Sequence, residues 1–279
     1  MGEKITAARA TLHFWEEPCI SGKNGSGTVF FSGCVMKCVF CQNYDISAEN
    51  FGREISNERL ADIFLELQKQ GALNINLVNP THFVPQIIKA LKIAKSRGLK
   101  LPIVYNSGGY ERVETLKALD GLIDIYLPDV KYFDDELAEK LSAAPNYFET
   151  AMNAVAEMVR QTGKPVFDEK NGEILLRGTI VRHLVLPNCY KDSINVINRI
   201  AERFRGEILF SLMSQYTPFG LVKTDESYKK LNRRITTFEY QKALDAVLEA
   251  GLRGFMQEKG SAKEEYTPSF DLTGICQNV

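Results

Sequence analysis

Three of the six cysteines of the chain, Cys34, Cys38 and Cys41, lie close together in the spacing C-x3-C-x2-C. A four-iron cluster has four iron corners, so three protein thiolates leave one iron free to bind another ligand. Structural metal sites close their coordination shell, whereas catalytic sites keep one position open. Three neighbouring cysteines without a fourth nearby therefore favour a reactive metal centre over a structural one.

Two other interpretations of these cysteines are open. A structural zinc ion would need a fourth Cys or His at paired spacing, and neither His13 nor Cys19 has that spacing. A redox-active pair formed by Cys38 and Cys41 would leave the third cysteine of the group unexplained. The cluster interpretation accounts for all three thiols.

Length and charge narrow the class of protein. The 279 residues suffice for one α/β barrel, which commonly uses about 250 residues. The formal net charge of −1 shows no basic surplus, so binding to nucleic acid is not expected. No apolar run reaches the roughly 18 residues of a membrane-spanning helix, and the N-terminus lacks the apolar core of a signal peptide. We therefore expect a cytoplasmic protein that does not associate with membranes and whose thiols stay reduced.

The elements that must position the cysteines alternate between strands and helices. The predicted strands are 27–34, 74–80, 102–106, 123–132, 177–187, 208–215 and 253–256. The predicted helices are 56–71, 83–98, 111–119, 134–141, 147–162, 192–205 and 238–250. This alternation predicts a parallel sheet with right-handed crossovers. Six strand–helix units favour an α/β fold of the partial (β/α)6 TIM-like barrel type, and the runner-up is an open doubly wound sheet.

Two parts of the chain fall outside this alternation. Residues 1–26 precede the first predicted strand, and we expect them to form an N-terminal extension that packs on a barrel of residues 27–257. Residues 258–279 are expected to form a C-terminal tail. Within the barrel, residues 216–235 make a long link with little apolar periodicity, and long links in compact domains are usually functional or mobile.

The text GTVFFSGCVMKCVFCQNYDIS, residues 27–47, resembles the cluster loop of the radical S-adenosylmethionine superfamily, and in particular its pyruvate formate-lyase activating enzyme group. Phe40, Asn43 and Asp45 match positions of that loop, and Lys37 matches conservatively. The resemblance implies a partial barrel in which the cysteines hold three irons of a [4Fe–4S] cluster. The open iron would chelate S-adenosylmethionine, and an electron from the cluster would split it into methionine and a 5′-deoxyadenosyl radical. That radical would remove a hydrogen atom from the substrate.

The same resemblance implies partners. Activating enzymes of this group abstract hydrogen from a glycine of a partner protein, and a reductant such as flavodoxin or ferredoxin would supply the electron. The alternatives are a radical enzyme that acts on a small molecule or on RNA, and a non-enzymatic metal or iron–sulfur protein. A non-enzymatic protein would hold a coordinatively full metal and would not bind S-adenosylmethionine.

Polar residues follow several predicted strands, at the end of a barrel where active sites gather. The candidate cofactor-binding residues are Phe40, Asn43, Thr81, His82, Asn106, Ser107, Asp129, Lys131, Arg182 and Gln215. Strand alternation places Asp129 and Lys131 on one face, and buried charges of this kind need a partner or a ligand. Their sequence resembles the D-L-K motif of the activating enzymes, which implies that Lys131 meets the carboxylate of the cofactor. The structural alternative is a turn with a helix cap for Asn106 and Ser107, and a salt bridge for Asp129 and Lys131.

One motif of the family is missing. The Gly-Gly-Glu that follows the second strand in the family, and that receives the methionyl amine, is replaced here by Asn79, Pro80, Thr81 and His82. We expect backbone carbonyls to accept the amine instead, with a side-chain contact from Thr81 or His82. The alternative is a tight turn in which Thr81 caps the next helix.

Overall fold

Strands and helices alternate along the chain in the computed structural model, which describes residues 4–170, 173–257 and 268–276. The strands are β1 (Ile5–His13), β2 (Ser26–Phe31), β3 (Arg53–Ile55), β4 (Ile75–Val78), β5 (Ile103–Ser107), β6 (Ile125–Pro128), β7 (Val166–Phe167), β8 (Leu175–Leu184), β9 (Leu209–Met213) and β10 (Gly254–Met256). The helices are α1 (Pro18–Ser21), α2 (Tyr44–Ser47), α3 (Asn57–Lys69), α4 (Val84–Ser96), α5 (Val113–Lys117), α6 (Asp135–Ser142), α7 (Tyr147–Thr162), α8 (Tyr190–Phe204) and α9 (Thr237–Glu249). Short 3₁₀ helices cover 81–83, 220–223 and 226–231.

The strands form one sheet in the order β10-β9-β8-β6-β5-β4-β2-β1-β3, with β7 paired to β8. Every neighbouring pair from β10 to β2 is parallel, and β1 joins β2 and β3 antiparallel. Among the described residues no pairing joins β10 to β3, so the sheet is an open barrel. The predicted partial barrel of six strand–helix units is confirmed. None of the described helices combines the length and apolar character that crossing a membrane requires.

Period-two alternation separates the outer face of the sheet from its interior. In β5, Ile103 and Tyr105 pack outward in the core that the helices form with the sheet, whereas Val104 and Asn106 face inward. The lower interior is apolar, and the carboxyl ends of the strands carry polar side chains. The barrel therefore has a packed base and a polar upper cavity.

The base of the barrel is closed by the N-terminal segment. Ile20 of α1 is fully buried against Val104, Ile125 and Ile180 of three strands. Full burial of an isoleucine contributes about 1.5–3 kcal/mol, so this contact fixes α1 beneath the cavity. The burial of Ile20 thereby holds Glu16 and Glu17, which precede α1, where the apolar base of the barrel meets the polar cavity.

The helices form where their apolar residues repeat and their ends are capped. In α3 the side chain of Ser56 accepts a hydrogen bond from the backbone N–H of Arg59 at 3.1 Å, which satisfies one of the free donors of the first turn. Leu60, Phe64 and Leu67 are buried on one face, as the i, i+4, i+7 spacing predicts. This face packs on the outer side of the sheet below the cysteine loop.

Two parts of the chain are more regular than the sequence indicated. Residues 5–13, within the expected extension, form strand β1, which the sequence analysis missed because alanines weaken its strand pattern. The link 216–235 contains two short 3₁₀ helices and is closed by a hydrogen bond from the Tyr216 hydroxyl to Leu231 O at 2.9 Å. Burial of Tyr216 and Leu231 makes this link part of the core.

The predicted C-terminal tail falls within the described residues only at 268–276. This segment runs beside β1, where Ala10 N donates to Thr273 O at 2.8 Å and Leu272 N donates to Ala8 O at 3.0 Å. A salt bridge of 2.7 Å joins Arg9 to Asp271. Residues 268–276 are thus fastened to β1 in the antiparallel part of the sheet.

Gly109, in the loop after β5, has φ +78°, and a Cβ placed there would lie 2.0 Å from Asp129 O. We expect Gly109→Ala to lower the free energy of unfolding by more than about 3 kcal/mol, because left-handed strain and overpacking add. Gly98→Ala is the matched control, since Gly98 has φ +99° but no atom within 4 Å of such a Cβ. Gly98→Ala should lower the free energy of unfolding by only about 1 kcal/mol. Equal losses in chemical denaturation would contradict the close approach of these two loops.

Candidate functional site

The loop after β2 brings its three cysteines to the wall of one cavity. Cys34, Cys38 and Cys41 line this cavity, which has a volume of about 320 Å³ and lies at the carboxyl ends of the parallel strands. Nowhere in residues 4–170, 173–257 and 268–276 do three Cys, His, Asp or Glu side chains lie close enough to hold a single metal ion. In a four-iron cluster each protein ligand binds a different iron. Thiols that line one cavity but do not converge on a single metal position therefore fit such a cluster.

Backbone hydrogen bonds fix the cysteine loop against the end of α6. Lys37 N donates to Ser142 O at 2.8 Å, and Val39 N donates to Leu141 O at 2.9 Å. These two bonds lie on either side of the middle cysteine. The loop therefore takes its shape from protein contacts as well as from any cluster that it binds.

The three cysteines are half-buried, and hydroxyl groups donate hydrogen bonds to two of their sulfur atoms. Ser142 Oγ donates to Cys38 Sγ at 3.0 Å, and Ser47 Oγ donates to Cys41 Sγ at 3.2 Å. Burial raises the pKa of Cys34 and raises that of Cys38 to about 12. These two thiols are neutral at pH 7 by themselves, and iron that replaces their protons would supply the compensating positive charge. The donor set therefore fits an iron–sulfur cluster.

A buried charged network joins three strand ends on another part of the cavity wall. Arg182 donates through Nε to Asp129 Oδ1 at 2.8 Å and through Nη2 to Asn106 Oδ1 at 2.7 Å. Its Nη1 donates to Glu16 Oε2 at 3.3 Å. Lys131 Nζ donates to the other carboxylate oxygen of Asp129 at 2.5 Å. One carboxylate is thus held between two cations.

This pairing decides the ionisation of the network. Burial acts to raise the pKa of Asp129, but Arg182 and Lys131 outweigh it and hold that pKa below its ordinary value. Burial acts to lower the pKa of Lys131, yet Asp129 and Cys38 raise it above its ordinary value. The carboxylate and both cations are therefore charged at pH 7. Such a site can bind the carboxylate and amine groups of a zwitterionic ligand.

A tyrosine ties the loops that carry this network. The Tyr147 hydroxyl lies 2.9 Å from Gly108 O and 3.0 Å from Asp129 O, and it accepts a hydrogen bond from Lys131 N at 3.0 Å. Tyr147 is fully buried at the start of α7. The loops after β5 and β6 are thereby held at a fixed distance from each other.

The predicted residues that the structure places on the cavity wall are Cys34, Phe40, Cys38, Cys41, Asn43, Asn106, Ser107, Asp129, Lys131, Arg182 and Gln215. The ring of Phe40 packs edge-on against Tyr216 with the centroids 5.8 Å apart. Gln215 Oε1 accepts a hydrogen bond from Gln257 Nε2 at 3.0 Å. Phe40 lies in the cysteine loop and Gln215 lies just before the link 216–235. The contact between Phe40 and Tyr216 joins these two segments at the cavity wall.

Thr81 and His82 do not line the cavity. Thr81 Oγ1 donates to Glu111 Oε1 at 2.6 Å, and His82 Nε2 lies 2.7 Å from Ser32 O at the base of the cysteine loop. Both side chains are engaged with protein groups behind the wall. This position gives them a role in supporting the loops after β2 and β5.

Glu111 is a buried acid that the sequence analysis did not single out. Burial raises its pKa to about 7, and Tyr105 donates to its Oε2 at 3.3 Å. The sequence did contain a signal for this residue, because Glu111 closely follows the pair Gly108 and Gly109. The sequence analysis instead placed Glu111 at the start of the predicted helix 111–119. Glu111 joins the loops after β4 and β5 through its bond to Thr81.

The N-terminal segment contributes wall residues that the sequence analysis also missed. Trp15, Glu16 and Glu17 line the cavity, although they precede the first predicted strand. Their signal was a pair of adjacent acids beside the single tryptophan of the chain. Sequence alone did not show that α1 inserts into the barrel and places them there.

Several known proteins are similar to this chain in sequence or in fold. The model of the radical SAM superfamily matches residues 28–178, more than half of the chain. The uncharacterized protein MJ0674 of Methanocaldococcus jannaschii is 32% identical over 243 residues, which are 84% of this chain and 64% of that protein. The chain thus spans slightly less than two thirds of this relative.

Two further likenesses concern an activating enzyme and a solved structure. The pyruvate formate-lyase-activating enzyme of Clostridium pasteurianum is 26% identical over 229 residues, or 76% of this chain and 82% of that enzyme. The crystal structure of SuiB from Streptococcus suis bound to S-adenosylmethionine has a TM-score of 0.53 at 12% identity, over 84% of this chain and 50% of SuiB. The likeness to SuiB shows a shared fold. Together with its cysteine loop and open barrel, the family match shows that the chain belongs to the radical SAM superfamily.

Proposed function

We propose that this chain is an activating-enzyme-like radical enzyme that removes a hydrogen atom from a peptide or protein substrate, such as a glycine of a partner protein. The observation that carries this proposal is the meeting of the three cysteines with the network around Asp129 in one cavity. The 26% identity to a pyruvate formate-lyase-activating enzyme supports the choice of substrate class.

Enzymes of this superfamily use a [4Fe–4S] cluster and S-adenosylmethionine, whose reductive cleavage supplies a 5′-deoxyadenosyl radical. In this chain Cys34, Cys38 and Cys41 would hold the cluster. Ser142 and Ser47 donate to two of the sulfurs, and hydrogen bonds of this kind tune the reduction potential of such clusters. The protein would thus provide the ligands of the cluster and adjust its reduction potential, and flavodoxin or ferredoxin would deliver the electron.

The charged network would orient S-adenosylmethionine. Lys131 would receive its carboxylate while Asp129 keeps the ammonium of Lys131 in place. Asn106 and Ser107 offer polar contacts from the next strand, and Asn43 offers them from beside the cysteine loop. Because Lys131 and the cysteines line the same cavity, the cofactor would span the distance between them.

Other predicted residues would position these groups. His82 supports the cysteine loop through Ser32, and Thr81 fixes Glu111 behind the wall. Phe40 and Gln215 would bound the space for the nucleoside part of the cofactor. Arg182 connects the strands on both sides of Asp129 and holds its carboxylate ionised.

The shape of the barrel supports a large substrate. His13 of β1 and Phe255 of β10 both line the cavity, although no hydrogen-bonded pairing joins these strands within the described ranges. Trp15 also lines the cavity and is 56% exposed. An extended peptide could enter between β1 and β10, beside residues 268–276, whose Pro268 also lines the cavity.

A first prediction concerns the cysteine ligands. Anaerobic protein loaded with iron and sulfide should produce 5′-deoxyadenosine from S-adenosylmethionine when a strong reductant is added. Cys38→Ala should abolish this product and lower the bound iron, because one of the three cluster ligands is removed. Cys189→Ala is the matched control, since Cys189 is half-buried but does not line the cavity, and it should retain both. Product formation by Cys38→Ala at the level of the unaltered protein would contradict the proposal.

A second prediction concerns the substrate. With a pyruvate formate-lyase polypeptide labelled with α-dideuterated glycine, deuterium should appear in 5′-deoxyadenosine, as mass spectrometry can measure. Deuterium transfer requires that a glycine Cα reach the radical, which the open side of the barrel permits. The same polypeptide with unlabelled glycine serves as the control. Formation of 5′-deoxyadenosine without deuterium transfer would contradict the activating role while leaving the cofactor chemistry intact.

A further inference from the structure

The floor of the cavity carries more acidic than basic side chains. Among the residues that the structure describes, the cavity is lined by Glu16, Glu17 and Asp129 and by two cations, Arg182 and Lys131. Lys131 is bound to Asp129, and Arg182 is shared between Asp129 and Glu16. Arg182 also acts on Glu17 at longer range, but within the described residues no salt bridge joins Glu17 to a cation.

Glu17 is nine-tenths buried, with 8% of its surface exposed. Its Oε2 is buried and makes no hydrogen bond within residues 4–170, 173–257 and 268–276, and it forms no ion pair within the same ranges. Burial raises the pKa of this carboxyl and Glu16 acts in the same direction, whereas Arg182 and a hydrogen bond with the Ser211 side chain act to lower it. A buried carboxylate oxygen that has lost its hydration without gaining a hydrogen bond is costly, so the unsatisfied Oε2 of Glu17 calls for a ligand.

The backbone gives Glu17 little freedom to relieve this burial. Its carbonyl accepts hydrogen bonds from Ile20 N at 2.8 Å and from Ser21 N at 3.1 Å, which fix the first turn of α1. The side chain of Ile20 fills the apolar base directly below. The carboxylate is therefore held in the cavity by the same segment that closes the barrel.

We propose that Glu17 receives a cationic nitrogen of the substrate, an ammonium or guanidinium group, at the floor of the cavity. A basic side chain of a peptide substrate carries such a group. Glu17 and the cysteines line the same cavity, so binding there would place neighbouring carbon atoms of the substrate near the cofactor. This assignment rests on the proposed function in taking the cavity as the substrate site.

The position of Trp15 makes the proposal measurable. Trp15 is the single tryptophan of the chain and lines the cavity two residues before Glu17, so its fluorescence reports binding there. Cluster-loaded protein would be saturated with S-adenosylmethionine without reductant, which fills the sites for the cofactor's own charges. It would then be titrated with n-butylammonium chloride and with n-butanol, which present an ammonium or a hydroxyl on the same alkyl chain.

We expect n-butylammonium to bind at least about tenfold more tightly than n-butanol, because a hydrogen bond to a charged group is worth about 1.5–3 kcal/mol. Glu17→Gln should remove this preference, since the amide keeps the shape of the side chain and loses its charge. Glu249→Gln, at an exposed position near the end of α9, is the matched control and should keep it. Circular dichroism would show whether each variant is folded.

Equal binding of the two probes by the unaltered protein would overturn the proposal, whatever the behaviour of the variants. A preference that survives Glu17→Gln would overturn it as well. If potassium chloride alone gave the same fluorescence change and Glu17→Gln removed it, the site would be one for a metal cation and the proposal would fail. Displacement of S-adenosylmethionine by n-butylammonium would assign Glu17 to the cofactor instead. Formation of 5′-deoxyadenosine by the same preparation tests the proposed function separately.

Discussion

The buried carboxylate of Asp129, held between Arg182 and Lys131, is the interaction on which the site depends. It is placed by strand register, since Asp129 and Arg182 pair as a parallel bridge at the ends of β6 and β8. Neither cation could be buried at these positions without the carboxylate of Asp129, because an isolated buried charge loses its hydration and gains no interaction that compensates for it. Replacement of one partner in such a group typically costs 3–5 kcal/mol, although an apolar group of similar shape can be as stable. We interpret its retention as functional.

The cysteine loop depends on this network through the loops around it. The network fixes the end of β6, Tyr147 ties that end to Gly108, and Gly108 lies close to Met36 of the cysteine loop. On the opposite side, Ser142 at the end of α6 holds the loop by its carbonyl and its hydroxyl. The cysteines proposed as cluster ligands and the residues proposed for S-adenosylmethionine are therefore parts of one packed structure.

The sequence was sufficient to predict the barrel because strands and helices alternate with clear periodicity. It also predicted the cysteine loop, whose spacing is specific, and the shared face of Asp129 and Lys131. Strand alternation separates Arg182, which lines the cavity, from its neighbour His183, which is buried outside it against Val130 O and Ser193 Oγ.

The features that sequence did not predict depend on tertiary contacts. The alanine-rich text of β1 carries no strong strand signal, and antiparallel pairing with β2 and β3 makes it a strand. Glu16 and Glu17 reach the cavity only because Ile20 is buried in the base of the barrel. Thr81 and His82 fall behind the wall because Glu111 and Ser32 bind them there, and no spacing rule contains that information.

We infer that the three cysteines hold a cluster with one iron open to S-adenosylmethionine. The most direct test is the electron paramagnetic resonance spectrum of the reduced, cluster-loaded protein, recorded without and with S-adenosylmethionine. Coordination of the cofactor to the open iron alters the electronic environment of the cluster, so we predict a changed spectrum. A spectrum that stays the same at saturating S-adenosylmethionine would contradict the account.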